Sequence, residues 1–201
     1  MLNVDDKENI LLALECIGLI CILDKEVFLN YSDMFKRFLL TEISPDTDDK
    51  REKVIAIKSV VDSLIIHGIG EEKLQGFFEI ITTNYLTTKD RVLRQVTIEA
   101  VCKMLFTKNL CDQNSVERVE AILAQLLFQL FDQKYNKQNS LVKSILKHFL
   151  SNFALFSEQR CHMLLNALTK VTYAVLYERY GLDKSAIAVK KGAKKGKKGK
   201  A

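Results

Sequence analysis

The chain has 201 residues, 48% of them hydrophobic, with one Pro, eight Gly and a net charge of +5. That length supports one domain with a substantial core, and so few breakers exclude a turn-rich β architecture and point to an all-α one. The charge is unevenly placed: residues 190–201 hold seven Lys and no acid, which leaves residues 1–189 at −2 and excludes a strongly basic body.

The first predicted helix begins near Asp5, with Glu8 three residues on as a capping-box partner, and runs to about Leu23. Within it, Leu11–Lys25 (LLALECIGLICILDK) has Leu14, Ile17 and Cys21 three or four apart and reads as a helix buried along a wide stripe. Asp24 caps a second helix whose buried stripe is Phe28, Tyr31, Phe35, Phe38 and Leu39, and the pair makes an αα-hairpin. The break SPDTDD follows, with the chain's one Pro. A third helix spans about Asp48 to His67 and ends at Gly68 and Gly70, since Gly tolerates the left-handed conformation that closes helices. Its partner starts at Glu71 and Glu72 and is buried through Leu74, Phe77, Phe78, Ile81 and Tyr85.

The next pair is Asp90–Thr107 and Ser115–Asp132, linked by KNLCDQN, with Val116, Val119, Leu123, Leu126 and Leu130 on one face of the latter. After QKYNKQNS, the seventh helix is expected to bury Leu141, Ile145, Phe149 and Phe153. Ser157 caps the last, which runs through Cys161, Leu164, Leu168, Val171 and Val175 to about Tyr180. From Gly181 the composition changes abruptly, ending in KKGAKKGKKGKA, and a Lys/Gly run of this kind predicts a disordered tail over 181–201.

The first helices of the four pairs resemble one another. Superposing them places Ala13, Ala56, Thr97 and Ile145 in one column, at spacings of 43, 41 and 48 residues. Two helices recurring at roughly 40–47 residues is the period of HEAT or armadillo units. The expected fold is therefore an all-α solenoid of about four HEAT-like hairpins (units near 5–43, 46–88, 90–132 and 140–180), with a globular eight-helix bundle as the alternative. Each hairpin alone leaves an apolar face bare, and stacking buries it against the next. The first helix has no unit ahead of it, so Ile10, Leu11, Leu12 and Leu14 are expected to form an exposed edge. That edge predicts a partner, a self-association contact, or a continuation of the reading frame upstream.

Nothing in the sequence signals catalysis. Walker, dinucleotide and nucleophile-elbow patterns are missing, and Asp48 with Asp49 or Glu71 with Glu72 fall at helix starts, where dipole compensation explains them. His67, His148 and His162 lack metal-ligand spacing, so neither metal nor cofactor is expected. Cys16, Cys21, Cys102, Cys111 and Cys161 form an odd set without C-x-x-C, which reads as a reducing compartment. An acidic N-terminus and no apolar run of about 18 residues predict an intracellular, soluble protein with no membrane association.

The candidate sites are surfaces. Lys190, Lys191, Lys194, Lys195, Lys197, Lys198 and Lys200 can neutralise phosphates without reading sequence, or can serve as a nuclear import signal. The absence of aromatics among them argues against base stacking. The second helices of the pairs mix charges: Lys25, Lys36 and Arg37 stand against Glu26, Asp33 and Glu42, Arg118 against Glu117 and Glu120, Arg160 and Lys170 against Glu158 and Glu178. A peptide or protein partner suits that surface better than a duplex, and no small-molecule substrate is implied.

Three segments carry a family resemblance. ALECIGLICILDKEVF (Ala13–Phe28), LRQVTIEAVCKMLF (Leu93–Phe106) and NSLVKSILKHFLSNFALFSEQRC (Asn139–Cys161) are similar, in order and spacing, to the C-terminal HEAT region of the condensin subunit CAP-G, the nuclear condensin complex subunit three family. The chain departs from the family pattern at Thr97, Ser144 and Leu150. The resemblance implies a non-ATPase subunit that associates with kleisin and SMC chains and contacts DNA in mitotic chromosome condensation. It also implies a location in the nucleus and on chromosomes, with a cytoplasmic pool. No binding residue is carried over from it. The second reading is a HEAT or armadillo adaptor in another nuclear or transport assembly.

Overall fold

A computed structural model describes residues 4–41, 49–68, 70, 72–107, 115–131 and 140–180. Among these residues there are eight helices and no strand: α1 (Val4–Leu23), α2 (Lys25–Leu40), α3 (Asp49–His67), α4 (Glu72–Asn84), α5 (Arg91–Phe106), α6 (Val116–Phe131), α7 (Ser140–Phe153) and α8 (Glu158–Tyr180). All of the expected SPDTDD break but Asp49, most of the two polar links, Glu71, Cys111 and the Lys tail lie outside the described residues.

Local chemistry sets the helix ends. The Asp24 carboxylate accepts from the Glu26 and Val27 N–H groups at 2.8 and 3.3 Å, and the Asp90 carboxylate from Val92 and Leu93 at 2.9 and 3.0 Å. Ser115 and Ser157 do the same with their hydroxyls for α6 and α8. Gly68 closes α3 at φ 77°, a left-handed conformation that only Gly adopts freely, and its N–H donates to the Leu64 carbonyl. The start of α1 differs from expectation: the helix already runs through Asp5, and Glu8 reaches across to Arg51 at 2.6 Å.

The helices stack as a solenoid of hairpins in two layers. The first helices form one continuous layer, α1 on α3, α3 on α5 and α5 on α7. In the other layer α2 packs on α4 and α6 on α8. The layers interlock through α1–α2, α2–α3, α3–α4, α4–α5, α6–α7 and α7–α8. One hydrophobic cluster runs through them, anchored by Phe28, Phe35, Phe77, Phe149 and Phe153. Phe28 stacks on Phe77 with centroids 5.9 Å apart and so fastens α2 to α4, while Phe106 meets Phe149 edge-on at 5.1 Å and fastens α5 to α7. Helices α1 and α3 meet closely at Gly18. A Cβ on Gly18 would sit 2.1 Å from Ser59 Oγ, so only a hydrogen fits there.

Several buried faces differ in phase from the sequence reading. On α7, Leu141 is exposed, and Val142, Leu146, Phe149, Leu150 and Phe153 are buried. The run LVKSILKHFL carries two adjacent apolar stripes, and packing against α5 and α6 selects one of them. On α8 the buried stripe is Met163, Ala167 and Val171, one position before Leu164 and Leu168. Tyr31 and Val116 also turn outward. In the repeating column, Ala56 and Thr97 are fully buried, Ile145 is half-buried and Ala13 is exposed. Among the described residues the inner first helices α3 and α5 have a neighbour on both sides in their layer, and α1 and α7 have one each.

Candidate interaction surfaces

Two of the charged groups that enter the core, Lys53 and Arg160, finish helices, whereas buried Glu120 binds the Asn166 and Lys170 side chains of α8. Lys53, on α3, lies in phase with Ile57, Val60 and Leu64 and is 2% exposed. Its ammonium donates to the carbonyls of Phe38 at 2.7 Å and Thr41 at 2.5 Å, at the end of α2. The Tyr85 hydroxyl donates to the Leu39 carbonyl beside them. Helix C-termini carry partial negative charge and unsatisfied carbonyls, so a cation supplied by the next hairpin satisfies both. His67 Nε2 sits 2.9 Å from the Cys21 carbonyl near the end of α1, and Arg160 donates to the Phe106 carbonyl at the end of α5 at 3.3 Å. The Arg160 guanidinium also lies 5.3 and 5.1 Å from the Phe153 and Phe156 ring centroids. Sequence reasoning placed Arg160 on the surface and did not single out Lys53.

The shifted titrations have the same structural origin. Burial pushes the Tyr85 hydroxyl up to about 12 and, with Asp24 adding to it, the Cys21 thiol up to about 11. Burial also raises Cys102, with Glu99 contributing. Hydrogen bonds from Lys170 and Asn166 hold the Glu120 carboxyl below its ordinary value against some burial. For Asp90, burial acts upward but is outweighed by the Leu93 and Val92 N–H groups and by Lys50, so its carboxyl lies low. None of these five groups lines the open grooves between α4 and α6, between α1 and α3, or at the end of α2. Among the described residues, no three His, Cys, Asp or Glu side chains cluster to hold a metal, and no helix is long and apolar enough to cross a membrane.

The expected edge on α1 is rearranged. Leu11 and Leu14 are buried, because their side of the helix packs into the hairpin and onto α3; Ile10 is half-buried and Leu12 is exposed. The outward stripe is instead Leu12, Cys16, Leu19 and Leu23, spaced four, three and four residues apart, with Leu23 85% exposed. The 43-residue repeat offset matches it to Ile55, Ser59, Asp62 and Ile66 of α3. That is the side of α3 that receives α1: Ser59 faces Gly18, and Ile55, Ser59 and Asp62 line the groove against Leu19. Most of the bare stripe thus falls at the stacking position of the repeat, although Leu19 also borders the α1–α3 groove and Ile66, the counterpart of Leu23, is exposed. The expected buried stripe Leu14, Ile17 and Cys21 does face the core, but Leu11 and Leu14 were also expected at the bare edge, because apolar residues lie on several sides of α1 from Ile10 onward.

The second-helix layer carries both signs of charge. Arg118 pairs with Glu79 at 3.6 Å, Lys170 with Glu120 at 2.5 Å, and Lys36 lies over the Phe77 ring beside Asp33 and Arg37. The seven tail lysines lie outside the described residues.

A family model described as the C-terminal domain of nuclear condensing complex subunits matches residues 5–194. No curated protein and no solved structure matches the chain.

Proposed function

The chain belongs to the family of nuclear condensin complex subunits, and from that premise we propose that it is a non-catalytic scaffold of a condensin-type complex, acting in mitotic chromosome condensation. It presents its stacked hairpins (repeat divisions near 5–43, 46–88, 90–132 and 140–180) to kleisin and SMC chains. It works in the nucleus and on chromosomes, with a cytoplasmic pool. The observation that supports this reading is the use of buried chemistry. Lys53, His67, Arg160 and Tyr85 are spent on helix-end carbonyls, and the surface they leave is suited to recognition.

The tail lysines, Lys190 to Lys200, add sequence-independent phosphate contacts, because each neutralised phosphate releases counterions. The partner-facing edge is the α1 stripe, Leu12 with Cys16, Leu19 and Leu23, and half-buried Ile10 at its margin.

Affinity purification from mitotic cells tests the assignment: SMC and kleisin chains should co-purify, and recovery with transport receptors alone would favour the adaptor reading. Deleting Lys190–Ala201 should abolish most duplex binding and flatten its dependence on salt. Unchanged binding would move the DNA contact onto the body.

A further inference from the structure

The solenoid is not uniformly packed. The first-helix layer continues from α1 to α7, but among the described residues the backbones nearest α6 are those of α7 and α8, and α4 and α5 stand farther off although α6 side chains such as Val119 and Leu123 share their core. An open groove lined by Glu79, Thr82, Thr83, Arg118, Ile122 and Gln125 separates α4 from α6. Long side chains cross it. Arg118 reaches Glu79 at 3.6 Å and lies 5.2 Å from the Phe78 ring centroid, and the Gln129 amide donates to the Leu86 carbonyl at 2.7 Å. Glu79 is well solvated and Arg118 half-exposed, so their ion pair is a weak tie. The opposite side of the junction is tight. There Phe106 of α5 meets Phe149 and Phe156 at 5.1 and 5.4 Å, and Arg160 closes the end of α5.

A firm contact on one side and a polar gap on the other is the arrangement of a hinge. We infer that the chain bends as two blocks, α1–α5 and α6–α8, about the Phe106–Phe149–Phe156–Arg160 cluster, with Arg118 and Gln129 as the latch across the α4–α6 groove. Bending there changes the width of the second-helix face while both blocks keep their cores. The inference rests on packing alone and stands or falls independently of which complex the chain joins.

The test uses the full chain with pairs of spin labels on genetically encoded, non-cysteine residues. One pair, Thr83 and Gln125, spans the groove. Asn30 with Thr83 reports within the first block, and Gln125 with Thr169 within the second. All four positions are exposed. The Thr83–Gln125 distance distribution should be about twofold wider than either control, and wider again in the Arg118→Gln, Gln129→Leu double variant, with both controls unchanged. A cross-groove distribution as narrow as the controls would overturn the hinge. A folded double variant that leaves it unaltered would overturn the latch. Should the double variant broaden the controls as well, the wild-type widths decide.

Discussion

Replacing Lys53 with Met keeps the length and most of the volume of the side chain while removing its charge. The wild-type ammonium makes two short hydrogen bonds, to the Phe38 and Thr41 carbonyls. Bonds to a charged group contribute about 1.5–3 kcal/mol each, and a carbonyl left without a donor costs about 1–3 kcal/mol. Against this stands the desolvation of a 2% exposed ammonium, which the Met variant no longer incurs. The balance is a loss of about 3 kcal/mol, which for a chain of this size lowers Tm by about 6–12 °C. Thermal and urea unfolding followed by far-UV circular dichroism measures it. Lys58→Met, an exposed change on the same helix, is the control and should stay within about 0.5 kcal/mol of wild type. If Lys53→Met also stays within about 0.5 kcal/mol, the cation does not fasten α2 to α3 and the account of the buried charges is wrong.

Gly18→Ala should destabilise by about 1–3 kcal/mol although Ala is the better helix former, because its Cβ would meet Ser59 Oγ and Cβ at 2.1 and 2.7 Å. Adding Ser59→Gly should cost less than the sum of the two single changes, and strict additivity in chemical denaturation would contradict the close approach. At neutral pH, exposed Cys16 should react with a thiol reagent well before Cys21 and Cys102, whose burial both hinders access and raises the thiol pKa; peptide mapping showing equal labelling in the folded chain would refute that order. Glu120→Gln should lower Tm at neutral pH. The depressed carboxyl contributes stability above its ordinary 4.5 and loses it as pH falls through the folded value, so the gap from wild type should close in acid. A gap that persists unchanged to low pH would mean that Lys170 and Asn166 do not hold the carboxylate.

Much of the fold was legible because helix boundaries are local chemistry. Asp24, Ser115 and Ser157 are caps by residue type and position, and Gly68 is a stop, so α2, α6, α8 and the end of α3 could be read directly. The face a helix buries was harder to read. In α7, Leu141 and Val142 are both apolar and only the neighbouring helices choose between them. In α1 the stripe Leu14, Ile17 and Cys21 could be read from its spacing, but Leu11 could not be told from Leu12, since apolar residues follow one another from Ile10 to Leu14. The buried charges were missed because Lys and Arg are usually exposed. Their signal was present in the spacing, with Lys53 in phase with Ile57, Val60 and Leu64 and Arg160 in phase with Met163, Ala167 and Val171. In these two cases the charge in register with a buried stripe finishes the end of a neighbouring helix, while Glu120, in register with Leu123 and Leu127, binds side chains of α8 instead. The groove between α4 and α6 had no such trace, since it arises from how the blocks meet and not from any one helix.

The central claim is that this stack of hairpins is a recognition scaffold of a condensin-type assembly. The most direct measurement is reconstitution: the full chain mixed with purified kleisin and SMC subunits and resolved by size-exclusion chromatography with light scattering. The account predicts a stoichiometric complex that contains the chain. A folded chain that elutes by itself, with the kleisin and SMC subunits assembled without it, would contradict the account.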